Sequence, residues 1–223
     1  MLQKSTLTFL KDLKQNNAKE WFDVNRKAYD AARADFTNLV ANVIAHYSKE
    51  DEEIASLQAK DCLFRINRDV RFSKNKAPYK TNFGASIARG GKKSIYAGYY
   101  IHVEPGNNSF VGGGLWMPET AQLKKVRQEI DYNFAAFEPL VSAPAFKTVY
   151  GSLYTGEDSK LSRPPKGYDD SNPAIEYLKF KSLIALHPLK DAELTDKNLL
   201  QTIQQAFTAL HPLDVFLNTA LES

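Results

Sequence analysis

The sequence predicts an α+β domain, a largely antiparallel sheet flanked by N-terminal and C-terminal helices, on three observations. The N-terminal third and the segment after Thr195 repeat apolar positions at helical spacing. From Leu63 the apolar period changes to two. Glycine pairs and runs then punctuate the strand-like stretches as turns and bulges do. Helices at both ends around antiparallel strands define the α+β class. One core is ample for 223 residues, and no repeat or linker divides them, so residues 1–223 are expected to form a single domain.

The elements follow in order. Leu7, Leu10 and Leu13 mark one face of a short helix that stops at Asn16-Asn17, where side-chain amides compete with the helical backbone. Asn17 then reads as the N-cap of a second helix, with Glu20 completing a capping box. Phe22, Tyr29, Ala32, Phe36, Leu39, Val43 and Tyr47 continue as a long core-facing stripe. Asp51-Glu52-Glu53 opens a short, acidic, exposed segment.

Phe64, Ile66, Val70 and Phe72 alternate with Arg65, Asn67, Asp69 and Arg71, which predicts a strand over 62–67 and a bend near Arg68-Asp69. Asn75 and Pro78 make 74–80 a loop. Phe83–Arg89 and Ser94–Glu104 read as a hairpin turned at Gly90-Gly91. With a two-residue turn, Ile95, Ala97, Tyr99, Ile101 and Val103 share a face with Gly84, Ser86 and Ala88, opposite Tyr96, Tyr100 and His102. A one-residue change in the loop reverses that pairing. Ser109–Leu115 is a further strand, with a bulge or a close backbone approach at Gly112-Gly113-Gly114. A helix over 119–130, a short one before Pro144, a long loop over 151–170, a short helix at Pro173 and a strand over 182–187 come next. Thr195 is the expected cap of a helix to about Leu210, with a separate final turn from Pro212.

Composition excludes several classes. Hydrophobic residues at 43% and charged residues at 25% suit a folded globular chain. There is no secretory apolar run at the N-terminus and no stretch of eighteen apolar residues, so a soluble cytoplasmic protein without membrane association is expected. The lone Cys62 cannot form an internal disulfide and is read as a small buried thiol. Phosphate-binding P-loop, dinucleotide and G-x-S-x-G patterns are absent, and no cofactor is indicated. The four histidines stand far apart, the nearest approach to ligand spacing being His102 and Glu104, so no metal site is expected. Trp21, Phe22 and Trp116 are assigned to the core.

Net charge is +3, but the segment 60–93 holds ten basic residues against two acidic ones. Arg65 and Arg71, on one face of a strand, can converge on a phosphate or carboxylate. Arg68, Lys76 and Lys80 can add charge, and Tyr79 can stack on a base or donate a hydrogen bond. Asp69 is placed to orient an arginine. The same side chains can equally coat a solvated sheet edge, where lysines discourage aggregation. As weaker catalytic candidates, Asp69, Tyr79 and His102 carry groups able to move a proton.

The pattern Phe9-Leu10, Leu13, Asn16-Asn17, Trp21-Phe22, then Arg68-Asp69-x-Arg71-Phe72-Ser73-x-x-Lys76-x-Pro78-Tyr79-Lys80-Thr81, resembles the domain of unknown function 2461 of bacteria and fungi. Gly113-Gly114-x-Trp116-x-Pro118, Arg127 and Pro165-Lys166-Gly167-Tyr168 extend the resemblance over nearly the whole chain. It implies a single soluble domain and brings no activity, cofactor or catalytic residue with it. Three readings stay open: a phosphate or nucleic-acid binding domain, an enzyme acting on a phosphorylated or carboxylated small molecule, and a structural or protein-interaction module whose arginines pair internally.

Overall fold

The computed structural model describes residues 1–222. Helices α1 (Lys4–Gln15), α2 (Lys19–Val24), α3 (Arg26–Tyr47) and α4 (Ala59–Cys62) precede strands β1 (Phe83–Ile87), β2 (Gly98–Val103) and β3 (Ser109–Leu115). Helices α5 (Thr120–Tyr132), α6 (Phe134–Ser142), α7 (Pro144–Tyr150) and α8 (Ile175–Leu178) follow. Strand β4 (Leu183–Leu189) and helices α9 (Asp191–Leu194) and α10 (Leu199–Glu222) complete the chain. The four strands form one antiparallel sheet in the order β1-β2-β3-β4, and the fold is α+β as the sequence predicts. No helix among the described residues is long and apolar enough to cross a membrane. Contacts group into two compact units, one of Met1–Lys93, Tyr100–Val111 and Pro188–Gln205, the other of Ser94–Tyr99, Gly112–His187 and the chain from Ala206 onward.

In the first unit the helical stripe lies in the core: Phe9, Leu10, Leu13, Phe22, Tyr29, Ala32, Phe36, Leu39 and Val43 are all buried. Burial of each large side chain contributes about 1.5–3 kcal/mol. Phe36 stacks on Phe83 of β1 at 5.5 Å between centroids, and Phe22 stacks on Tyr79 at 4.1 Å. The N-terminal stripe differs in one position, since Thr6 rather than Leu7 is fully buried and donates to Asp35 at 2.6 Å. The expected acidic segment is only partly exposed. Asp51 is buried and accepts from the Glu53 amide, capping a single helical turn over Glu52–Ile54, while Glu53 reaches Arg89.

Two sequence expectations for this unit are overturned. Residues 62–67 form no regular strand: Cys62 ends α4, and beyond it single bridges join Leu63 to Ala85 and Asn67 to Tyr79. The hairpin turn is also longer than two residues, for ten residues separate β1 from β2. Gly90 and Gly91 keep positive φ (86° and 82°), as a turn in this region needs. The longer loop reverses the register. Gly84 lies under Tyr100, where an added Cβ would meet the phenol oxygen at 2.4 Å. Phe83, Ala85 and Ile87 thereby take the face the sequence reading gave to Gly84 and Ser86.

In the second unit the glycine run of β3 is a close approach of backbones. A Cβ on Gly112 would fall 2.0 Å from the Ala185 carbonyl oxygen, and one on Gly114 would fall 2.1 Å from that of Leu183. Gly114 also holds φ at 107°. Tyr99 stacks on Phe207 of α10 at 4.3 Å, and its hydroxyl meets His211 Nδ1 at 2.8 Å. Arg127 of α5 donates to the carbonyls of Leu178 and Phe180, which ties the segment after α8 to the helix.

Three further expectations fail, the first of them in the first unit. Thr195 closes α9 and caps nothing, because the long helix starts at Leu199. Pro212 lies inside α10. The bond it forfeits is outweighed by burial of Leu213, Leu217 and Ala220 beyond it. Trp116, assigned to the core, is 64% exposed.

Candidate anion-binding loop

Residues 65–80 are an excursion whose two ends are pinned side by side. Asn67 faces Tyr79 in an antiparallel bridge, while the Arg68 amide donates to Pro78 (2.9 Å) and the Lys80 amide to Ile66 (2.8 Å). Those bonds bracket Asn67 and Tyr79 as a non-hydrogen-bonded pair, so the peptide groups of Tyr79 point away from Asn67. Asn17 meets both of them. Its Nδ2 donates to Tyr79 O and its Oδ1 accepts from Tyr79 N, each at 3.0 Å. The side-chain amide imitates a third strand at the stem. Asn17 is therefore not the predicted N-cap; Ala18 occupies that position and makes no side-chain cap.

Within the loop, side chains serve as struts. Arg68 Nη1 donates to Ala77 O (3.0 Å) and Nη2 to Ser73 Oγ (3.3 Å). Lys76 Nζ donates to Val70 O at 3.0 Å. Asp69 and Asn75 each accept the amide two residues on, at 3.3 and 2.9 Å, as Asx turns do. Asp69 also grips Arg71 through two bonds, Nε to Oδ1 at 3.0 Å and Nη2 to Oδ2 at 2.7 Å.

The electrostatics follow from this geometry. Hydrogen bonds from the Arg71 side chain and then its backbone, aided by the charge of Arg65, hold the Asp69 carboxyl below the usual carboxylate range. Arg65 is exposed and within electrostatic reach of both Asp69 and Lys80. Burial, and then repulsion from Arg65, push the Lys80 ammonium below its ordinary range. That ammonium stands 5.4 Å over the Phe64 ring. From Arg65 to Lys80 there are six cations and one acid. Only Arg71 has a carboxylate partner, and Arg65, Arg68, Lys74, Lys76 and Lys80 have none among the described residues.

The predicted residues thus divide by role. Arg65, Asp69, Arg71 and Lys80 lie within one electrostatic neighbourhood, whereas Arg68 and Lys76 bond mainly to loop backbone. Tyr79 departs from its expected role as a stacking partner: it is 7% exposed and its ring is stacked on Phe22 in the core. Phe72, read from the alternation as facing inward with Ile66, is 95% exposed at the far end of the loop. Its neighbour Arg71 lies over the ring, 5.8 Å from the centroid.

His102 belongs to a separate cluster on β2. Its ring stacks on Phe110 at 4.6 Å, with Asn82 and Glu104 each 3.4 Å from a ring nitrogen. Burial lowers its pKa and Glu104 partly opposes that shift, so a neutral imidazole is present at pH 7. Glu104 also accepts from Lys14 (3.2 Å) and Thr81 (3.1 Å). Of the three catalytic candidates, His102 alone is a partly buried imidazole, and its burial moves proton uptake below the ordinary histidine range.

By architecture the protein is an α+β protein carrying a strutted cationic loop. It belongs to the family described as Conserved hypothetical protein (DUF2461), whose model matches residues 5–216, nearly the whole chain. No curated protein and no solved structure matches the chain significantly.

Proposed function

We propose that the protein is an anion-binding domain whose 65–80 loop takes a phosphate-bearing ligand, either a nucleic acid or a phosphorylated small molecule. One observation carries this reading: five of the six cations in an internally hydrogen-bonded loop have no carboxylate partner. Internal pairing, the structural alternative, would have spent these charges on acids. Instead Arg68 and Lys76 bond to carbonyls and a hydroxyl, which leaves their positive charge in place. Arg65 lies within electrostatic reach of Lys80 as a like charge, a repulsion that a bound anion would relieve.

The test is the equilibrium binding of a short fluorescent single-stranded oligonucleotide across a salt series. Log affinity should fall linearly with log salt, with a slope of about −0.7 for each phosphate neutralised. Absent binding at low salt, or binding indifferent to salt, overturns the nucleic-acid form of the reading, and absent binding of inorganic phosphate as well overturns the reading whole.

A further inference from the structure

Phe72 is an unusual residue for the end of a charged loop. It is 95% exposed, while the aromatic residue that the sequence offered for stacking, Tyr79, is consumed by the core. Both flanks of Phe72 are hydrogen-bonded within the loop. Arg71 is held by Asp69 through two hydrogen bonds, and Ser73 Oγ accepts from Arg68. The Ser73 amide also donates to Val70 O at 3.3 Å. The ring is therefore presented outward on a braced turn, with Arg71 against it and Lys74 and Lys76 close in the chain.

We infer that Phe72 is a base-stacking platform, and that the loop's ligand is single-stranded nucleic acid. The inference rests on the anion-binding reading and adds the other half of the ligand to it. An exposed aromatic ring with Arg71 against it, in a loop whose other cations have no carboxylate partner, matches the alternation of planar base and phosphate along a single strand. A stacked duplex offers the phosphates but keeps its base faces covered. A lone phenylalanine is also a small anchor for a membrane, where peripheral attachment draws on a larger apolar face. The guanidinium of Arg71 extends the platform, since it is planar and stacks on bases as aromatic rings do.

The test measures fluorescence anisotropy with a labelled oligothymidylate, a phosphodiester oligomer of the same length lacking bases, and a duplex. The proteins compared are wild type, Phe72→Ala and Phe72→Tyr. The exposed position makes folding of these variants insensitive to the change. Phe72→Ala should weaken oligothymidylate binding roughly 5- to 150-fold, the range for losing one stacked base, with the salt slope unchanged. Phe72→Tyr should restore wild-type affinity, and the oligomer lacking bases should bind wild type and Phe72→Ala alike. Salt-dependent oligothymidylate binding that is equal in wild type and Phe72→Ala overturns the stacking role and leaves the anion-binding reading standing. Duplex bound as tightly as single strand also overturns it. Sedimentation with anionic phosphatidylserine vesicles that depends on Phe72, without oligonucleotide binding, replaces it with a membrane surface. No binding to any of these probes, nor to inorganic phosphate, at low salt overturns the anion-binding reading as well.

Discussion

Replacing Asn17 by Asp separates two roles for that residue that its local sequence does not distinguish. At a helix N-cap, Asp and Asn are nearly interchangeable. At the loop stem they are not, because Asn17 donates to Tyr79 O with one atom and accepts from Tyr79 N with the other. Aspartate keeps the acceptor and sets a second oxygen against the Tyr79 carbonyl. Loss of one partly buried hydrogen bond costs about 1 kcal/mol, and a carbonyl left facing a carboxylate adds on the order of 1–2 kcal/mol. The total of roughly 2–3 kcal/mol corresponds to a drop in Tm of about 5–10 °C for a chain of this length. Asn17→Ala forfeits both bonds and should fall in the same range. Thermal unfolding followed by circular dichroism measures the loss, and hydrogen exchange at the Tyr79 amide locates it, with faster exchange in both variants. Asn17→Asp with wild-type Tm and unchanged protection at Tyr79 would refute the side-chain strand and return Asn17 to the role of a cap.

Other consequences follow from single contacts. Gly114→Ala sets a methyl group about 2 Å from the Leu183 carbonyl in a backbone with positive φ, so it should lose more than about 4 kcal/mol and appear as insoluble or unfolded protein; a variant with a wild-type denaturation midpoint would contradict the close approach. Cys62 is fully buried, and burial followed by the charge of Asp61 pushes its thiol up to about 11, so Ellman's reagent at pH 8 should label native protein far more slowly than unfolded protein. Since that folded pKa lies above the unfolded value of 9.0, the stability it contributes is complete below pH 9 and is lost as pH rises toward 11; denaturation midpoints across that interval check the sign. Burial lowers the pKa of His102 from 6.5, so its contribution is present above pH 6.5 and is lost as pH falls through the lower folded value. An NMR titration of the His102 ring should give a midpoint below 6.5, and a higher one would contradict its burial.

Elements whose apolar period is long and local were legible in the sequence. The α3 stripe and the strands β3 and β4 appear close to where the periodicity places them. Interactions set by distant partners were not. Asn17 and Tyr79 are 62 residues apart, and Asn218 makes a comparable two-bond pairing with Ala97 across 121 residues, with Ala97 N donating at 2.8 Å. Nothing in either local sequence distinguishes such an amide from a cap or a surface residue. Period-two alternation misled at Phe72 because the chain beyond the isolated bridge between Asn67 and Tyr79 is a loop, where alternation no longer reports a buried face. The proline rule misled at Pro212, where tertiary burial on both sides kept the helix continuous. Within the basic segment the residue types were readable but their roles were not. Which arginine braces the loop and which keeps its charge free depends on the loop's own fold.

Arg65 and Lys80 test the central claim most directly, since they are the mutually repelling cations without a carboxylate partner. The decisive measurement is the salt dependence of oligonucleotide binding by wild type and by the double variant Arg65→Gln/Lys80→Gln. If both cations neutralise phosphates, the double variant should bind more weakly and its slope of log affinity against log salt should be shallower by about 1.4. An unchanged affinity and slope would show that these charges do not meet the ligand and would contradict the account.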